Sequence, residues 1–229
     1  MKREINHLLA LSFLLICFVS CQSTPEKPEI EIESGKVGMI GYGSLISFNE
    51  TEATLGRKYE DSVYLVHLEG YQREWSYVGS NKDSLQPKEF FDYDGFYIKN
   101  TDTLSFEKII FLNIAAKEGG SVNAVLYFIS ENELAQFDER ELGYERIDVS
   151  NNLREYSIKN GKVYAYKALP DNTYVAERDQ NVSKIDKSYV DLVINACDSI
   201  GADFRKEYDA STLPFHPDLM AEVFFIKMR

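Results

Sequence analysis

The chain has 229 residues, 44% of them hydrophobic and 27% charged, the composition of a folded domain with a core of its own. Its formal charge of −12 repels phosphate backbones, which argues against nucleic acid as a partner.

Residues 1–20 read as a targeting segment, with a basic start at Lys2 and Arg3 and an apolar run from Leu8 to Val19. As a helix that run reaches about 18 Å at 1.5 Å per residue, short of a hydrocarbon core about 30 Å thick, so it does not span. It ends in Phe18-Val19-Ser20-Cys21, which resembles the lipobox of bacterial lipoproteins, with Phe18 where Leu is usual. The resemblance implies an exported protein whose Cys21 becomes the lipidated first residue, held on a bacterial inner or outer membrane. A cleaved signal with a chance cysteine is the alternative, and Cys17 is the poorer candidate. Removing residues 1–20 takes away Lys2, Arg3 and Glu4, a net +1, and moves the charge from −12 to −13. Cys197 is then the remaining free thiol, so stability must come from the core and not from a disulfide.

From Gln22 to Gly35 the chain is polar and acidic, with two prolines and no evident helical or alternating pattern. It reads as part of a lipidated tether over 21–35, long enough at roughly 3 Å per residue to hold a domain over 36–229 a few tens of Å from a bilayer. The domain begins with strand-like runs rich in Tyr, Phe, Val and Ile: Val37 to Tyr42, Val63 to Val78, Gly95 to Lys99, Lys108 to Ala115, Val122 to Ile129, Tyr144 to Val149 and Lys162 to Ala168. A helix is predicted from Ser130, where Ser130 and Glu133 form a capping-box pattern and Leu134 and Phe137 an apolar face. A second runs from about Ser183 to Ile200, with Tyr189, Val193, Ala196 and Ile200 at helical spacing. Strands first and helices at the end argue for an α+β domain with a small, mixed, barrel-like sheet. The sequence carries no signal for a particular oligomeric state.

The candidate chemistry is narrowed by absences in the sequence. His7, His67 and His216 are scattered, and no HExxH, CxxC or paired-His spacing suggests a metal site. Ser44 lacks a GxSxG frame, and Cys197 sits among apolar helix positions where a packed thiol is the simpler reading. Gly41-Tyr42-Gly43-Ser44-Leu45-Ile46 is distinctive because two glycines follow a predicted strand. Successive amides of Gly43, Ser44 and Leu45 can form a nest for a carboxylate or developing oxyanion, although a plain tight turn has the same pattern. A dinucleotide fingerprint fails, since Ile46 stands where its third glycine belongs. Glu141 lies seven residues beyond Leu134 and four beyond Phe137, which points its carboxylate along the apolar side of the first helix, near an end set by Gly143. Burial and the helix dipole both raise its pKa, as a general base near neutral pH requires. The alternative is a surface residue paired with Arg140 or Arg146.

GYGSLI at 41–46, GYQREW at 70–75, DERELGYER at 138–146 and the helix around Tyr189 occur in an order that resembles γ-glutamylcyclotransferases, most closely the ChaC-like, glutathione-degrading branch. The likeness runs from Val37 to about Ala210. It implies that Tyr42, Gly43, Ser44 and Leu45 form the substrate-holding loop, that Glu141 is the catalytic glutamate, and that Tyr144 and Tyr189 line the pocket. It further implies cyclisation of a γ-glutamyl group to 5-oxoproline with release of the attached amine, without metal or organic cofactor. Phe137, the Leu142-Gly143 pair and Ala124 depart from the usual pattern. So does the stretch Asn81 to Leu104, which is expected to shape one wall of the pocket. A lipoprotein that keeps the pocket but only binds a ligand is the rival reading, and a structural lipoprotein a third.

Overall fold

The computed structural model describes residues 26–81 and 93–227; residues 1–20, read above as a targeting segment, and Cys21 lie outside them. The spine of the fold is β6 (Lys108–Ser130), which follows β1 (Glu29–Glu31), β2 (Lys36–Gly41), β3 (Tyr64–Ser80), β4 (Tyr93–Lys99) and β5 (Asp102–Ser105). The two runs expected at Lys108 to Ala115 and Val122 to Ile129 are halves of this one strand. They stay paired to β3 because a register shift around Gly70, which has φ +86°, accommodates the extra residues near Gly119 and Gly120. On its other side the end of β6 pairs antiparallel with β2, from Lys36 opposite Ser130 to Gly41 opposite Val125. β2 pairs parallel with β9 (Val163–Ala168), and β9 antiparallel with β7 (Tyr144–Asp148). β10 (Ser183–Asp186) pairs parallel with the start of β6 and with β11 (Met220–Ala221). The sheet curls towards closure: Tyr174 N donates to Ser76 O at 2.7 Å, joining β3 to the segment after β9. This is the mixed sheet with flanking helices that the pattern predicts.

Those helices are α1 (Phe48–Leu55), α2 (Glu131–Arg140), α3 (Ala176–Asp179), α4 (Lys187–Ile200) and α5 (Ala202–Ser211). The capping box at the start of α2 is present in both directions: Glu133 N donates to Ser130 Oγ, and Ser130 N to the Glu133 carboxylate at 2.8 Å. α4 starts four residues later than expected. Ser183–Asp186 is drawn into the sheet, and Asp186 caps the helix by accepting from Ser188 N at 3.1 Å. α1 and α5 were not visible in the pattern, since α1 carries only Thr51 and Leu55 as buried positions and α5 only Phe204 and Tyr208.

The expected tether is corrected over its second half. β1 pairs parallel with β8 (Ser157–Lys159), Lys27 Nζ donates to Leu153 O at 2.7 Å, and Ile30 and Ile32 are buried in the core. The stretch Glu29-Ile30-Glu31-Ile32-Glu33 does alternate, with exposed glutamates and inward isoleucines; the surrounding acidity hid a half-buried strand. β12 (Val223–Lys227) lies against β4, with β5 beyond, forming a separate three-stranded sheet over a satellite core of Phe106, Ile109 and Val223.

Arg73, within Gly70–Trp75, is fully buried, and among the described residues none of its hydrogen-bond partners is a carboxylate. Its guanidinium bonds to the carbonyl and side chain of Asn123 and to the hydroxyls of Ser211 and Thr212, and its charged centre lies 4.5 Å from the Tyr208 ring centroid. Burial lowers its pKa to about 10. It ties β3, β6 and the end of α5 together.

Candidate active site

The turn after β2 is set by steric necessity. A Cβ on Gly41 would stand 2.2 Å from the Leu45 carbonyl oxygen, so the chain can fold back on the strand only with glycine there. Ser44–Ile46 then forms one 3-10 turn, closed by Ile46 N to Gly43 O and Ser47 N to Ser44 O, both at 2.9 Å. Those bonds leave the amides of Ser44 and Leu45 without a partner inside the turn, as at any helix start. A Cβ on Gly43 would lie 3.2 Å from the Tyr189 hydroxyl, so α4 approaches the turn closely at this point.

Glu141 is the C-cap of α2. Its amide donates to Phe137 O at 2.8 Å, and its carbonyl accepts from Tyr144 N at 3.1 Å. The left-handed Gly143, φ +80°, turns the chain into β7; its carbonyl takes Leu169 N, while Tyr77 Oη donates to Leu142 O at 2.9 Å. The backbone around the carboxylate is therefore held on both sides. The Glu141 side chain is 16% exposed, and it lines a cavity of about 30 Å³ together with Tyr42, Gly43, Ser44, Leu45, Tyr144 and Tyr189. All seven expected site residues thus meet in one cavity, with Ile40, Leu112 and Tyr166 completing its wall.

Electrostatics favour a proton-accepting role. Burial raises the Glu141 pKa above its ordinary value, and the Arg140 guanidinium, with Nη1 3.8 Å from Glu141 Oε1, opposes this. Tyr42 and Tyr144 are pushed well above the ordinary tyrosine range and Tyr189 up to about 12, each chiefly by burial and further by neighbouring acids or phenols. All three are neutral hydroxyls at physiological pH. Two of those hydroxyls serve the fold: Tyr42 Oη donates to Tyr166 O at 2.6 Å and Tyr144 Oη to Leu112 O at 2.9 Å. Their rings line the cavity, while Tyr189 alone of the three turns its hydroxyl to the turn, beside Gly43.

Three supporting residues were missed by sequence reasoning. Arg140, considered there only as a surface partner, donates from Nη2 to Ser44 Oγ at 3.1 Å and to Glu50 Oε2 at 3.3 Å, and so joins the turn to Glu141. Tyr77 stacks on Tyr144 with centroids 4.2 Å apart and planes 8° from parallel. Trp75 packs edge-on behind Tyr189 at 6.0 Å. The adjacency of Arg140 to Glu141 was the available signal for the first; the aromatic contacts depend on sheet register. Among the described residues no group of three or more His, Cys, Asp or Glu is placed to hold a metal ion. Cys197 is buried, with burial pushing its thiol up to about 12, as suits a packed side chain.

Fold and site together define a class: an α+β domain in which one partly buried carboxylate and a glycine turn line the same small aromatic cavity. Its fold is similar to that of a solved γ-glutamyl cyclotransferase, with a TM-score of 0.50 over 82% of this chain and 94% of that chain at 12% identity. An uncharacterised human protein follows at TM-score 0.47, covering 82% of this chain and 95% of that one at 13% identity. A yeast γ-glutamyl cyclotransferase specific to glutathione gives 0.40, over 80% and 90%, at 10% identity. No protein-family model and no curated protein sequence matches the chain.

Proposed function

We propose that this domain is a γ-glutamylcyclotransferase. The observation that carries the reading is the partly buried, pKa-raised carboxylate of Glu141, which lines the same cavity as the Gly43–Leu45 turn. The α-amine of a γ-glutamyl substrate gives a proton to Glu141 and attacks its own γ-carbonyl carbon, forming the ring C–N bond. Amides of the turn hold the developing oxyanion. The original amide C–N bond then breaks, and the proton returns from Glu141 to the departing nitrogen, leaving 5-oxoproline and a free amine. No water is consumed. Five-membered closure within one oriented substrate has effective molarities on the order of 10⁵ M or more, so positioning by the aromatic walls supplies much of the rate.

The same proposal places the domain outside the cytoplasm, lipidated on Cys21. The support is the basic start, the apolar run and the Ser20-Cys21 junction. In that location γ-glutamyl peptides or wall-derived γ-glutamyl bonds are the available substrates.

The test is to incubate the protein with a panel of γ-glutamyl dipeptides and glutathione and assay 5-oxoproline. Wild type yields it; Glu141→Gln lowers the rate by about 10²–10⁴. Equal product from both proteins would remove Glu141 from the base role.

A further inference from the structure

Beside the small cavity runs a groove of about 310 Å³, and the two share Ser44, Glu141, Tyr144 and Tyr189. The small cavity holds the turn amides and is compact, as the ring-forming half of the substrate requires. Glu141 must also reach the leaving nitrogen, and the groove is the other space it borders. The departing amine therefore lies along the groove.

The groove is walled by rings and aliphatic chains: Tyr77, Ile109, Phe111, Leu142, Leu192 and Phe225. Phe111 packs edge-on to Tyr189 at 4.8 Å. The charged groups along it are engaged with one another or with the chain. Arg140 pairs through Nη2 with Glu50 at 3.3 Å, while its Nη1, 3.8 Å from Glu141 Oε1, makes no hydrogen bond among the described residues. Asp186 accepts from the amide and hydroxyl of Ser188 and from Val223 N at 3.3 Å. Phe225 is delivered by β12, opposite Gly95 of β4. That pairing is itself set by Asn81, whose Nδ2 donates to Gly95 O and Phe106 O, both at 3.0 Å. The small β4–β5–β12 sheet thus reaches this groove through Phe225, and Leu142, beside Glu141, lines it as well.

From this lining we infer that the preferred substrates carry a bulky apolar leaving group: γ-glutamyl derivatives of aromatic or branched aliphatic amino acids or amines, ahead of γ-glutamylglycine and glutathione. The inference rests on the cyclotransferase reading and specifies its substrate class. An apolar pocket discriminates by roughly 10–200-fold per methylene-sized difference, so a benzyl side chain should give a clear preference.

The experiment compares kcat/KM of the full chain for γ-glutamylphenylalanine, γ-glutamylleucine, γ-glutamylglycine and glutathione by 5-oxoproline release, in wild type, Phe225→Leu and Phe225→Ala. The expected wild-type ratio of phenylalanine to glycine substrate is about tenfold or more. It falls in Phe225→Leu and further in Phe225→Ala. Each ratio is measured on one preparation, so a reduced folded fraction cancels. Equal or better turnover of γ-glutamylglycine or glutathione by wild type overturns the inference while leaving the cyclotransferase reading standing, as does an unchanged ratio in both variants. Absence of 5-oxoproline from every substrate overturns both.

Discussion

At the residue scale the central tension is a carboxylate held mostly out of water. Because the folded-state pKa of Glu141 is raised above its ordinary 4.5, the folded protein takes up its proton more readily than the unfolded chain. The contribution of this group to stability is then greatest below pH 4.5 and declines as pH rises through the raised folded value. Glu141→Gln, which carries no charge to desolvate, should accordingly melt at a temperature equal to or above that of wild type near neutral pH, with the gap narrowing in acid. Calorimetry across pH checks this; a large fall in melting temperature at pH 7 would assign Glu141 to holding the fold. Arg140 is the group that opposes the rise. Arg140→Leu should therefore move the acidic limb of log kcat/KM to higher pH, a change that a purely structural role for Arg140 does not produce.

At the element scale the N-terminal strand matters more than its composition suggests. Ile32 is buried among core residues, and its β carbon would lie 3.0 Å from a side chain on Gly161, so the residue that follows β1 is packed against the loop that precedes β9. Ile32→Ala should cost about 2 kcal/mol or more, from lost burial and the cavity left behind. In a domain of this size each kcal/mol corresponds to about 2–4 °C in melting temperature. If residues 26–35 were only a tether, the substitution would leave melting unchanged. α2 and α4 act as a pair: one carries Glu141 at its end, the other brings Tyr189 to the turn, and the long β3–β6 ladder holds them in place.

At the scale of the whole molecule, folding from Lys27 onward shortens the spacer. With a lipid on Cys21, only Gln22 to Glu26 separate the anchor from the domain. Five residues reach at most about 17 Å, against the few tens of Å that a free 21–35 segment allows. The acidic domain is then held close to the headgroups. Cys21→Ser should release the protein from the membrane fraction to the soluble fraction of an expressing bacterium, read by fractionation and mass labelling with palmitate. Retention of the variant in the membrane fraction would count against the lipid anchor.

The sequence by itself determined the features written in short-range pattern. These are the capping box at Ser130, the apolar positions Leu134 and Phe137 ahead of Glu141, and the glycine-permitted turn at 41–46. Each depends on residues a few positions apart, where propensity and periodicity act directly. Only the tertiary structure decided what those side chains meet. The Tyr42 hydroxyl is spent on a carbonyl 124 residues away, Arg73 is closed in by α5, β1 finds its partner in β8, and Phe225 from the last strand walls the groove. Such pairings depend on register and burial across the whole chain, and the same local pattern, as in Glu29–Glu33, can remain solvated or fold according to whether a complementary edge is available.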